Sequence, residues 1–212
     1  MLSIEMIYEW YSGDDPVHGV DHVLRVYQMA EQIARAEMAD LEIVCAAALL
    51  HDAQGSAPGR EGEDRENHHH ASADFARQVL EKEGWPAERI VAVQHCIRAH
   101  RYRSTEEPRT LEAKVLFDAD KLDVLGAIGV ARTIAYAVQA QQPVYVQPSP
   151  LFLRSGKREP GEPHSAYHEF IFKLRHVKER LYTATARKLA EARHAFLIAF
   201  YEQLVAEVHG ER

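Results

Sequence analysis

Apolar residues recur at the three- and four-residue spacing of an amphipathic helix along almost the whole chain, while the two-residue alternation of a half-buried strand is scarce. That pattern predicts an all-α protein, a compact helical bundle. Val23, Val26, Ala30 and Ile33 mark a first stripe running to about Met38, with Asp15 as N-cap and Pro16 at the first helical position. Asp40 is placed to cap a second helix carrying Ile43, Val44, Ala47, Leu49 and Leu50, which stops near Gly55. A charged loop (GREGEDREN) precedes a third helix, marked by Phe75, Val79 and Leu80 and closed by Gly84. Pro86 opens a fourth, with Ile90, Val93 and Ile97 on one face. Thr110 can cap the next, which continues to about Gln141 with a bend at Gly126 or Gly129. Residues 142–165 hold five prolines and two glycines and read as a long loop or lid. Helices over about 166–181 and 184–208 complete a single domain spanning 1–212.

A hydrophobic fraction of 46 % supplies a core, and a net charge of −7 argues against a nucleic-acid duplex or an anionic membrane as partner. It leaves a nucleotide open, because a metal or a local basic pocket binds phosphate on an acidic protein. Cys45 and Cys96 lie in apolar helical stretches and read as buried thiols of a reducing compartment. No basic segment followed by an apolar run opens the chain, and a cytoplasmic protein is expected.

The 13 histidines are the unusual number, since imidazole is both the commonest metal ligand and a proton shuttle near neutral pH. His18 and His22 stand four apart, on one helical face, as a metal site would use them; incidental pairing is the competing reading, and His18 suits a supporting role. His51-Asp52 offers two ligands of mixed softness at a helix end, where neighbours can reach one ion. The alternative is a histidine favoured by the helix dipole. In DADKLDVLGAIG, Asp118, Asp120 and Asp123 punctuate an apolar helix, as a solvated stripe or as carboxylates that need a partner.

Taken in order, His22, His51-Asp52 and Asp120 resemble the signature of the histidine–aspartate (HD) domain phosphohydrolase superfamily, in its small stand-alone branch. DHVLRV, AAALLHDA and FDADKLDVLGAIGVAR resemble the stretches that carry those ligands, and the segment from His168 to Phe196 resembles the tail of the stand-alone members. The resemblance implies a helical HD-type bundle with His22, His51, Asp52 and Asp120 on one divalent ion (Mn, Fe, Mg, Co, Ni or Zn). The implied reaction is hydrolysis of a phosphate ester or anhydride, often in a nucleotide, by a metal-activated water that Asp52 would orient.

Members with two metals carry two further histidines between the His-Asp pair and the last aspartate, and His68 and His100 are the candidates here, for a second ion or for substrate phosphate. Arg25, Lys121 and Lys173 are candidate phosphate contacts, each weighed against an ordinary ion pair or a solvated face. His95, opposite the Ile90/Val93/Ile97 stripe, reads as exposed and inert, and Arg98, Arg101 and Arg103 either steer an anion or pair with Glu106 and Glu107. His164, His168, His176, His194 and His209 show no local constellation. Two other functions fit the same ligands: a mixed-valent di-iron oxygenase and a catalytically silent nucleotide-binding regulator.

Overall fold

The computed structural model describes residues 2–11, 17, 19–54, 63–102 and 106–211, with the side chains of 63–67 excepted. All regular structure among the described residues is helical, as the periodicity predicts: α1 (Ile7–Trp10), α2 (Val20–Glu37), α3 (Leu41–Leu50), α4 (Glu63–Lys82), α5 (Ala87–Ala99), α6 (Leu111–Leu122), α7 (Gly126–Gln139), α8 (Pro150–Ser155), α9 (Ala166–Phe172) and α10 (Ala184–Val208), with short 3-10 turns at Ile4–Met6 and Leu174–Arg180. The backbone gathers into two compact units. One holds Met1–Lys121 with Leu181–Ala186, the other Leu122–Arg180 with Arg187–Arg212. Among the described residues no single helix is long and apolar enough to cross a membrane.

In the first unit, α3 packs on α2, α4 and α5. Its residues from Ile43 to Leu50 are all buried, as a helix apolar on every side must be. Asp40 caps it, accepting from Glu42 N at 3.1 Å and Ile43 N at 3.2 Å, and also holds the Arg89 guanidinium at 2.9 and 3.0 Å. At the other edge of the unit Asp118 accepts from Tyr182 N, Thr183 N and the Thr183 hydroxyl at 2.7–2.9 Å, tying the 181–186 segment to α6. Gly84, at φ +73°, closes α4, and the Thr110 hydroxyl caps α6 through Ala113 N at 3.2 Å.

The second unit holds the segment read as a loop, which is irregular apart from one short helix. Residues 142–165 contain α8, and Glu162 braces them: it accepts from Ser149 N (2.8 Å), the Ser149 hydroxyl (2.7 Å), Glu159 N (2.7 Å) and His168 Nε2 (3.0 Å). Burial opposes ionisation of this carboxyl, but the backbone, imidazole and hydroxyl bonds outweigh it and hold the pKa down at about 2. His168, which had no visible constellation, is fully buried between Glu162 and the Ser165 hydroxyl. Ser165 caps α9, and the helix expected over 166–181 breaks after Phe172 into a 3-10 turn.

The expected bend near Gly126 is a break between α6 and α7. Gly126 sits at φ +69°, and a Cβ on Gly129 would lie 2.2 Å from Val124 O, so the turn closes only over a bare Cα. Asp123 and Arg132, both buried, close the same turn with a 2.8 Å ion pair.

Two further expectations change at the N-terminal side. The cap assigned to Asp15 and Pro16 lies outside the described residues, as does His18; the helix begins at Val20 after Gly19. The helix expected after the charged stretch includes Glu63 onward, so His68 lies within α4.

Candidate metal centre

Two helices of the first unit end in a histidine that bends back on its own last turn. His51 follows α3 and its Nδ1 lies 2.8 Å from Ala48 O; His100 follows α5 and its Nδ1 lies 2.5 Å from Ile97 O. A carbonyl oxygen only accepts, so each Nδ1 donates and each ring turns its Nε2 away from its own helix end. Helix ends leave carbonyls without intrahelical partners, and here the imidazoles take them and are aimed by them.

The Nε2 atoms gather around Asp52. His51 Nε2 is 3.4 Å from His22 Nε2, and Asp52 Oδ2 lies 3.6 Å from His51 Nε2 and 3.9 Å from His22 Nε2. Asp120 Oδ1 is 3.6 Å from His22 Nε2. His22, His51 and Asp52 thus form one cluster, Asp120 approaches it at His22, and all four are buried. Asp52 turns its other oxygen the opposite way: Oδ1 lies 3.5 Å from His68 Nε2 and 3.4 Å from His100 Nε2. Two clusters, His22–His51–Asp52 and Asp52–His68–His100, each keep their ligand atoms within 4.8 Å of one another and share one carboxylate.

Electrostatics favour a cation here. Burial pushes the His51 imidazole below its ordinary pKa, with the Asp52 charge pulling the other way. Burial opposes ionisation of Asp52, but His51, His100 and His68 reverse it and hold the carboxyl well below its usual range. Asp120 is likewise drawn down against its burial, first by Lys121 and then by His22. Buried carboxylates held ionised among imidazole nitrogens are stabilised by a cation placed between them. The donor set therefore fits a divalent ion of borderline or hard character.

The other candidates fall elsewhere. Lys121 is buried, its ammonium on Asp120 Oδ2 and 5.3 Å above the Phe117 ring. Lys173 pairs with Glu169 at 3.0 Å in the second unit. Arg25 lies partly buried on α2. His95 is not exposed: its Nδ1 is 2.7 Å from Glu106 Oε1 and its Nε2 accepts from Arg109 N at 3.2 Å. Arg98 pairs with Glu106 at 2.8 Å, the pairing alternative; Arg103 lies outside the described residues.

Two features escaped the sequence reading. His69 is buried with Nδ1 lacking a hydrogen-bond partner, and burial followed by its His70 and His68 neighbours lowers its pKa to about 4. Tyr11 is buried against the His51-Asp52 turn, and burial together with the Asp52 charge raises its pKa well above the usual value. Nothing in the local pattern around Tyr11 signals a long-range bond to residues about 40 positions ahead.

The comparisons with known proteins agree with this geometry. The HD domain family model matches residues 19–125, just over half of the 212-residue chain. The uncharacterized protein YpgQ of Bacillus subtilis is 33 % identical over 198 residues, covering 91 % of this chain and 85 % of its own. The crystal structure of B. subtilis YpgQ in complex with ADP superposes with a TM-score of 0.73 at 29 % identity, over 99 % of this chain and 100 % of that one. A predicted HD superfamily hydrolase from an uncultured Thermotogales bacterium superposes at 0.62 with 28 % identity, over 96 % and 90 %. The chain belongs to the HD-domain family, a family of metal-dependent phosphohydrolases, in its small stand-alone branch.

Proposed function

We propose that the protein hydrolyses a phosphate ester or anhydride of a small molecule, a nucleotide, at the His22/His51/Asp52/Asp120 centre. The observation that carries the reading is the buried cluster of His22 Nε2, His51 Nε2 and Asp52 Oδ2, with Asp120 Oδ1 3.6 Å from His22 Nε2. A divalent ion bound there supplies Lewis acidity, bringing the pKa of water from 15.7 to roughly 7–9 and polarising a phosphoryl oxygen. His22 and His51 contribute neutral nitrogen donors, and Asp120 contributes a carboxylate that Lys121 keeps ionised. Asp52, ionised and placed between both clusters, is the residue to orient the attacking water and accept its hydrogen bond. His68 and His100, with Asp52 Oδ1, have the donors for a second ion.

The nucleotide reading is supported by the ADP bound in the YpgQ crystal structure. The two free, buried thiols, Cys45 and Cys96, suit a reducing compartment, and the reading places the chain in the cytoplasm. A carboxylate shared between two clusters is also what a di-iron oxygenase requires, so the test covers both chemistries. Nucleoside mono-, di- and triphosphates are assayed against Mn, Mg, Co, Ni, Zn and Fe, with orthophosphate and pyrophosphate measured separately. Metal-dependent release of either supports hydrolysis; oxygen consumption with Fe and no phosphate release would support the oxygenase, and tight binding with no turnover in any metal a regulator.

A further inference from the structure

We propose that Tyr11 and Ser72 are positioning residues for the metal centre: two hydroxyls that clasp the His51–Gln54 turn at either end and keep both Asp52 oxygens aimed. The turn begins where α3 runs out of intrahelical partners. Ala48 O is taken by His51 Nδ1 at 2.8 Å, Leu49 O by the Tyr11 hydroxyl at 3.0 Å, and Leu50 O by Ala53 N at 3.3 Å. The Tyr11 oxygen then accepts from Asp52 N at 3.3 Å. One phenol therefore bonds both the last turn of α3 and the backbone of the shared ligand. Tyr11 is only 7 % exposed, so water has little access to replace it.

At the far end Ser72, fully buried on α4, accepts from Gln54 N at 3.1 Å and donates to Gln54 O at 3.4 Å. Ser72 follows His68 by four residues, on the same face of that helix. Its hydroxyl thus pins the helix that carries His68 to the turn that carries Asp52, and sets the 3.5 Å approach of His68 Nε2 to Asp52 Oδ1. Outer hydrogen bonds of this kind commonly change metal affinity ~10–100-fold when removed.

The inference rests on a divalent ion binding at these donors and not on any substrate or turnover. Its test is Mn(II) binding by calorimetry to the chelator-stripped chain, with melting temperatures measured in parallel. Tyr11→Phe is expected to weaken Mn(II) binding by ~10-fold or more. Ser72→Ala is expected to weaken the Asp52–His68–His100 ion similarly, with Ser72→Thr, which keeps the hydroxyl, restoring it. Asp40→Ala, at the opposite end of α3, should lower the melting temperature with Mn(II) affinity unchanged, separating aim from general stability. Parent-like affinity in Tyr11→Phe, or an equal loss in Asp40→Ala, overturns the proposal. Should Tyr11→Phe fail to fold, equal affinities of Ser72→Ala and Ser72→Thr overturn it alone. A parent chain that binds no Mn(II) would instead remove the metal centre itself, and the inference with it.

Discussion

Asp52 is the residue on which the site turns, because its two oxygens face different pairs of imidazoles: Oδ2 toward His22 and His51, Oδ1 toward His68 and His100. Replacing His51 or Asp52 by alanine should abolish metal retention and turnover together while the far-ultraviolet helical signal survives; metal analysis with circular dichroism checks this. A helix-end residue without a ligand role contributes only ~0.3–2 kcal/mol to stability, so retained metal in either variant would contradict the assignment. The four candidate ligands are legible in the sequence because each stands in a recognisable local word. The rest was less so. Asp118, Asp120 and Asp123 look alike along the helix, yet one ties down the 181–186 segment, one faces His22, and one pairs with Arg132. Only tertiary partners separate them, and those partners lie up to 98 positions away, between Asp120 and His22. His68 and His100 were nominated, but their aim depends on α4 starting at Glu63 and on a back-bond to Ile97 O, neither of which periodicity reveals.

At the scale of elements, the sequence was most readable where local chemistry decides the outcome, and least where packing overrides it. Asp40, Thr110 and Gly84 cap or close helices where their side-chain or backbone chemistry predicts. Removing the Asp40 cap should cost about 1 kcal/mol, measured by denaturant unfolding of Asp40→Ala. The prolines of 142–165 signal a loop, and the segment is irregular except where Pro150 takes the first position of α8; Glu162 organises the backbone around it. Glu162 also sets a pH dependence. Its folded pKa, about 2, lies below the ordinary 4.5, so between those values the unfolded chain binds the extra proton. Its stabilisation is full above pH 4.5 and is lost as pH falls toward 2. Glu162→Gln should therefore melt below the parent at pH 7, with the gap narrowing on acidification through that window; a gap that stays constant would contradict the brace. The break between α6 and α7 makes a sharper demand. Gly129→Ala drives a Cβ into Val124 O and should destabilise by roughly 1–3 kcal/mol, as overpacking does.

For the whole molecule, the fold class and family are secure from periodicity, the ligand order and the matched relatives, and the chemistry rests on one cluster within the first unit. The direct measurement is a titration of Mn(II) into chelator-stripped protein while phosphate or pyrophosphate release from a nucleotide panel is followed. The stripped chain should be silent, turnover should rise with Mn(II) occupancy, and Asp52→Ala should stay silent at saturating Mn(II). Two ions per chain, falling to one in a His68→Ala, His100→Ala double variant, would match the shared-carboxylate geometry. Turnover by the stripped chain, or parent-level turnover in Asp52→Ala, would contradict a metal-dependent hydrolase built on these residues.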